Sequence, residues 1–185
     1  MSDERPLETF VTLVLEHSDA ELAEAHRELY PERIAAHIPL SLTLLYPWLP
    51  AASVTESDLH TLRSFFAGRP ALDFSLTRLS TFPGGVVYAV PEPDDELRAT
   101  MRALWELYPE CPPYGKPGND PAPHATLGRL EGDYAITLEE AEKRVLGLLP
   151  VRCVIHEATL MEDYEVVDRC RVRATFPLGG AARAG

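Results

Sequence analysis

Leu40-Ser41-Leu42-Thr43-Leu44 and Pro123-His124-Ala125-Thr126-Leu127 are the two stretches on which the reading of this chain turns. Each sets a polar pair two residues apart inside an apolar run. Side chains alternate across a strand, so both members of a pair project from one face, roughly 6.5 to 7 Å apart along the chain. Working outward, further runs of strand character occupy residues 9–16, 72–79, 86–90, 151–160 and 169–176, with the two polar pairs inside runs 40–46 and 124–130.

Helical spacing fills the gaps between these runs. The segment from 19 to 30 carries Leu22, Ala25 and Leu29 on one side; Ser18 and Glu21 fit a capping box, and Pro31, which lacks an amide proton, stops the helix. A second helix starts near Thr55 and meets Gly68 and Pro70. A third begins at Asp94-Asp95-Glu96 and closes at Pro109. A fourth follows Thr137 and Glu140, a second capping-box pair, and ends before Pro150. Pro83-Gly84-Gly85 and the acidic stretch between Leu160 and Arg169 read as hairpin turns. Residues 110–123 form the one long irregular loop, a length that in a compact domain marks function or mobility.

The order of elements repeats. Asp19-Ala20-Glu21-Leu22 is echoed by Asp94-Asp95-Glu96-Leu97, and Glu28-Leu29-Tyr30-Pro31 by Glu106-Leu107-Tyr108-Pro109. In the same phase Thr43 meets Thr126, Thr55 meets Thr137 and Pro70 meets Pro150, with the drift that small loop insertions produce. The expectation is a single α+β domain over 1–178: two pseudo-symmetric lobes, approximately 8–80 and 85–178, of antiparallel sheet with outer helices around a central groove. The tail 179–185 is expected to be disordered.

If an approximate two-fold relates the lobes, Ser41, Thr43, His124 and Thr126 converge on one cleft. Hydroxyls donate to non-bridging phosphate oxygens, and an imidazole moves a proton to or from an attacking or leaving oxygen. Such a site calls for no metal and no cofactor. Composition agrees with a compact ligand: 17 basic against 29 acidic residues leave a net charge of −12 on 185 residues, which argues against duplex DNA. No apolar run approaches the roughly 18 residues of a membrane span. Cys111, Cys153 and Cys170 show neither an even count nor a CxxC spacing and read as reduced and buried. A cytoplasmic monomer is expected.

These motifs resemble the two-histidine phosphoesterases that include the 2′-5′ RNA ligase-like proteins. Pro123-His124-Ala125-Thr126-Leu127 is similar to that family's second His-x-Thr/Ser motif. The run from Leu40 through Tyr46-Pro47-Trp48 is similar to its first, Pro112-Pro113-Tyr114-Gly115-Lys116 to the loop before the second, and Phe176-Pro177-Leu178-Gly179 to a common ending. The resemblance implies acid/base chemistry, without a metal, on a small nucleotide or RNA-end phosphodiester. His124, Thr126, Thr43 and Ser41 would be the catalytic set, with Tyr114 and Lys116 as substrate-binding residues.

One departure stands out: Ser41 occupies the place of the family's first histidine, and a serine is neither acid nor base near pH 7. Two readings result, a phosphodiesterase weakened or altered by that loss, or a catalytically inactive nucleotide- or phosphate-binding module. His37, four residues upstream, is too far along an extended strand to replace the missing imidazole readily. Tyr46 and Trp48 fit either a stacking platform or interlobe packing. Arg169, Arg171 and Arg173 fit either a ligand-facing or a solvated strand face.

Overall fold

The alternation of strand and helix in the sequence becomes one sheet with helices packed on it. The computed structural model describes residues 6–31, 37–164 and 169–179. Among these are eight strands, β1 (Pro6–Val14), β2 (Ser41–Leu45), β3 (Leu72–Thr81), β4 (Val86–Glu92), β5 (Ala125–Arg129), β6 (Val151–Ile155), β7 (Glu157–Tyr164) and β8 (Arg169–Pro177). Four α-helices are interleaved with them: α1 (Ala20–Leu29), α2 (Glu56–Ala67), α3 (Asp95–Leu107) and α4 (Leu138–Val145). The architecture is α+β. Most of the tail expected to be disordered, residues 180–185, lies outside the described residues.

Helix starts follow capping chemistry. Thr55 with Asp58 and Thr137 with Glu140 form reciprocal capping boxes. At α1 the cap differs from expectation. Asp19, not Ser18, is the N-cap: its carboxylate accepts from the Leu22 amide at 2.8 Å, while the Ser18 amide donates to the Leu15 carbonyl in the preceding turn. A carboxylate there satisfies an orphan amide and also opposes the positive end of the helix dipole.

The strands run in the order β6-β3-β4-β5-β2-β1-β7-β8, every neighbour antiparallel. The run expected as one strand over 151–160 is two, interrupted at His156. Its first part pairs with β3 and its second with β1, six places apart in the sheet. On a flat sheet six strand spacings would cover roughly 29 Å, yet a single residue joins the two strands and spans at most about 7 Å. The sheet therefore curls back on itself. Its two four-strand halves meet at β2 and β5.

One face of the sheet carries the main core, built from residues such as Leu13, Leu42, Leu76, Ala89, Leu127 and Leu160 and closed by Leu22, Leu62, Phe66, Leu104 and Val145 from the four helices. Burial of each such leucine contributes about 1.5–3 kcal/mol. Trp48 belongs to this packing: it is 4% exposed and meets Tyr108 edge-on at 5.2 Å, which favours the packing reading of that residue. The three cysteines are free and buried. Arg173 also serves the fold, pairing with Glu162 at 2.6 Å and donating to the carbonyls of Ala51 and Val54.

A bulge in β5 changes the direction in which its last residues point. On β4, Val86 and Tyr88 are two positions apart, whereas their partners on β5, Arg129 and Thr126, are three apart. The extra residue places Leu127 and Gly128 in the interior and turns Arg129 onto the face of Thr126. Gly128 is required by close approach: a Cβ there would lie 2.5 Å from Ile136 Cδ1 and 3.0 Å from the Leu29 carbonyl oxygen. Gly128→Ala should destabilise the protein by about 1–3 kcal/mol through overpacking. Chemical denaturation measures this, and an unchanged midpoint would show that the bulge has slack.

Candidate functional site

The site is built by a single pairing at the seam. Leu42 of β2 lies opposite Ala125 of β5, and both are 0% exposed because they face the core. Continuing this antiparallel register by one residue in each direction sets Ser41 opposite Thr126 and Thr43 opposite His124, all four on the opposite face. Thr12 Oγ1 donates to the Leu42 carbonyl at 2.9 Å, and Trp105 Nε1 to the Leu44 carbonyl at 2.8 Å, so β2 is held from both sides.

Thr43, His124 and Thr126 line one cavity of about 390 Å³, joined there by Tyr30, Tyr46, Tyr114 and Arg129. Ser41 does not reach its wall. It is 5% exposed, between Val14 of β1 and the β5 strand, and its hydroxyl has no hydrogen-bond partner among the described residues. Of the four residues expected to converge, the fold brings all onto one face and opens three to the cavity.

His124 is oriented by its surroundings. Its Nδ1 lies 2.7 Å from the Ala122 carbonyl oxygen. A carbonyl only accepts, so Nδ1 carries the hydrogen and, in the neutral ring, Nε2 is the acceptor nitrogen. The ring meets Phe82 at 4.8 Å and Tyr88 at 5.4 Å, both edge-to-face, and those two rings stack on each other at 4.3 Å. Phe82 is delivered by the Pro83-Gly84-Gly85 turn, which closes through hydrogen bonds from Phe82 N to the Val86 carbonyl and from Gly85 N to the Phe82 carbonyl. Gly85 adopts φ +75, a conformation that suits glycine.

The loop over 110–123 supplies one wall residue. Tyr114, at φ 53, donates its amide to the Tyr46 carbonyl at 2.6 Å, and the two rings lie 6.1 Å apart. Lys116, expected beside Tyr114 as a phosphate contact, is exposed and lies off the cavity wall. Arg98, which donates to the Pro121 carbonyl, ties the end of this loop to α3. Tyr46 donates to Glu8 at 2.9 Å; burial, reinforced by that bond and by nearby acidic groups, pushes its phenol up to about 12. His37 is exposed and lines an adjoining depression with Glu16 and Arg27, off the wall that carries Thr43 and His124, so it does not take the place of Ser41.

The residue that the strand pattern hides is Arg129, whose Nε donates to the Tyr30 hydroxyl at 3.0 Å on the cavity wall. Counting alternate residues from His124 assigns position 129 to the core, and the bulge reverses that. A glycine inside a strand is the available signal for such a bulge. The wall thus carries the Thr43 and Thr126 hydroxyls, the His124 imidazole and the Arg129 guanidinium, four groups suited to an anion with tetrahedral oxygens, and across the same cavity the Asp163 carboxyl and the Cys170 thiol. Among the described residues no group of three or more His, Cys, Asp or Glu is placed to hold a metal ion, and no helix is long and apolar enough to cross a membrane.

A family model described as the 2′-5′ RNA ligase superfamily matches residues 14–166. Among solved structures, one described as a phosphoesterase is 19% identical with TM-score 0.61, covering 94% of this chain and 99% of that one. E. coli LigT complexed with NADP+ is 18% identical with TM-score 0.59, covering 94% and 98%. TT0787 of Thermus thermophilus is 19% identical with TM-score 0.55, covering 95% and 100%. At these identities the likeness to solved structures is one of fold. Comparison with curated proteins finds no match.

The hydrogen bond to Ala122 makes a spectroscopic prediction. In ¹⁵N-resolved NMR, neutral His124 should show a protonated, pyrrole-type Nδ1 and a pyridine-type Nε2. The opposite tautomer would mean that Nδ1 does not donate to this carbonyl.

Proposed function

The chain belongs to the 2′-5′ RNA ligase superfamily, and we propose that it is a phosphoesterase acting on a small nucleotide or RNA-end phosphodiester bound across the β2/β5 seam. The observation that carries this reading is the opposition of Thr43 and His124 across that seam, with Thr126 beside them on the same cavity. In this reading Thr43 and Thr126 donate to non-bridging oxygens, Arg129 offsets the phosphate charge, and His124 Nε2 removes the proton of the attacking hydroxyl or water. No metal enters the mechanism.

Three observations support a nucleotide as the ligand. The cavity is large enough for a phosphate with part of a nucleoside, and Tyr46 and Tyr114 sit at its edge as flat surfaces. E. coli LigT structures are described as complexed with NADP+, 3′-AMP and ATP. A chain of net charge −12 suits a short ligand held inside the cavity over a long polyanion bound along the surface. We propose that it acts as a cytoplasmic monomer.

The test is turnover of a panel of 2′,3′-cyclic and 2′-5′-linked phosphodiesters. His124→Ala should lower kcat by about 10²- to 10⁴-fold. Thr43→Val and Thr126→Val, each losing a hydrogen bond to a charged oxygen of about 1.5–3 kcal/mol, should weaken kcat/KM by about 10- to 100-fold. Turnover indifferent to His124→Ala removes the mechanism. Tight nucleotide binding with no turnover of any diester makes the protein a binding module instead.

A further inference from the structure

The face of the sheet that carries Thr126 continues past the seam. Thr126 of β5 lies opposite Tyr88 of β4, and Tyr88 opposite Ser80 of β3. Cross-strand partners project to one side, so the same face runs on for two strand spacings, roughly 10 Å, from Thr126 to Ser80. A second cavity of about 420 Å³ lies there. Arg78, Ser80 and Val90 line it from β3 and β4, and Asp94, Asp95 and Arg98 line it from the first turn of α3.

This cavity adjoins the one at the seam. Phe82 and Tyr88 are on its lining, and both rings meet the His124 imidazole edge-to-face, at 4.8 and 5.4 Å. Ala122, whose carbonyl oxygen lies 2.7 Å from His124 Nδ1, is on its lining as well. His124 itself lines the seam cavity. The imidazole therefore stands at the boundary between two spaces of similar size, about 390 and 420 Å³. Each falls within the range of small-molecule sites, about 300–1,000 Å³.

The two spaces differ in charge. The seam cavity groups Thr43, Thr126 and His124 with the Arg129 guanidinium. In the second cavity both arginines have carboxylate partners: Arg98 Nε donates to Asp94 at 2.6 Å, and Arg78 lies 3.8 Å from Glu92. Asp95 adds a further carboxylate, which leaves the lining net negative. A second phosphate would meet repulsion there. An uncharged group with hydroxyl and amino donors and a flat ring would meet acceptors, together with the aromatic pair Phe82 and Tyr88, stacked at 4.3 Å. Arg98 also donates to the Pro121 carbonyl, which ties α3 to the segment leading into His124 and sets this lining in place before a ligand arrives.

A phosphodiester carries two ester groups on one phosphorus, and the two cavities flank the imidazole. Resting on the phosphoesterase reading, we propose that the cavity between β3, β4 and the start of α3 holds a nucleoside, the second ester group of a diester whose phosphate lies at Thr43, His124 and Thr126. The preferred substrate class is then a diester joining two nucleosides, ahead of an ester of a single nucleoside. Phe82 and Tyr88 act twice in this arrangement: they orient the imidazole and they contact the second nucleoside.

The test compares adenylyl-adenosine, in 2′-5′ and in 3′-5′ linkage, with the methyl esters of adenosine 2′-, 3′- and 5′-phosphate, which keep the diester and lack one nucleoside. With the wild-type protein, kcat/KM for the better dinucleoside linkage should exceed that of every methyl ester by about 10- to 100-fold, the range that one base stacked on an aromatic side chain contributes. Ser80→Tyr, which puts a ring into the second cavity, should bring this ratio down toward one. The ratio is taken within one protein, so a smaller folded fraction cancels. Where Ser80→Tyr does not fold, ¹H–¹⁵N spectra of His124→Ala with adenylyl-adenosine decide: the Ser80, Val90 and Asp95 amides should shift more than with the methyl esters.

Equal rates for dinucleoside and methyl esters, turnover confined to 2′,3′-cyclic phosphates, a ratio unmoved by Ser80→Tyr, or shifts confined to the seam would each overturn this inference and leave the phosphoesterase reading standing. No His124-dependent turnover of any diester would overturn both.

Discussion

The pairing of Leu42 with Ala125 is the contact on which the rest of the molecule depends. It joins the two halves of the sheet and sets the register in which residues far apart in sequence face each other. Both side chains are buried, so a slip of one residue would move Leu42 and Leu44 off the core and bring polar side chains into it. Hydrophobic burial on one face thus fixes the positions of polar groups on the other. The site needs no separate folding element to align Thr43 with His124, because the core already does so.

Two departures from regular strand geometry turn that alignment into a working wall. The bulge at Leu127-Gly128 brings Arg129 to the side of Thr126, and the packing of Gly128 against Leu29 and Ile136 fixes where the bulge occurs. The β3–β4 turn brings Phe82 against Tyr88, and together they hold the imidazole edge-on while Ala122 takes its Nδ1 proton in a hydrogen bond. The geometry is asymmetric: one half of the seam contributes an imidazole and the other a serine that the strands bury. In the reading proposed here that asymmetry, more than the shared fold, sets what chemistry the cavity supports, since one fold hosts many reactions and the residues of the site decide between them.

Much of this was legible in the sequence, for reasons that trace to particular residues. Thr55, Thr137, Pro31 and Pro109 mark helix ends because capping and the missing proline amide are local effects. The pairs Ser41/Thr43 and His124/Thr126 reveal their faces because strand alternation is local too. Where the sequence misled, a longer-range contact decided. The break at His156 arises because β6 and β7 pair with different partners, Asp19 displaced Ser18 as cap by one position, and Arg129 changed face through a bulge set by its neighbours. The burial of Ser41 and the exposure of Lys116 are likewise products of packing that no periodicity reports. The internal duplication suggested by the repeated tetrapeptides stays a proposal, in keeping with the matching order of β1-α1-β2-α2-β3 and β4-α3-β5-α4-β6.

The central claim is that the seam between β2 and β5 is a phosphate site. A crystal structure of the protein with a nucleoside monophosphate bound tests it most directly. The phosphate is expected within hydrogen-bond distance of the Thr43 and Thr126 hydroxyls and His124 Nε2, with the Arg129 guanidinium in contact. A nucleotide seated elsewhere, with these four side chains untouched, would contradict the account.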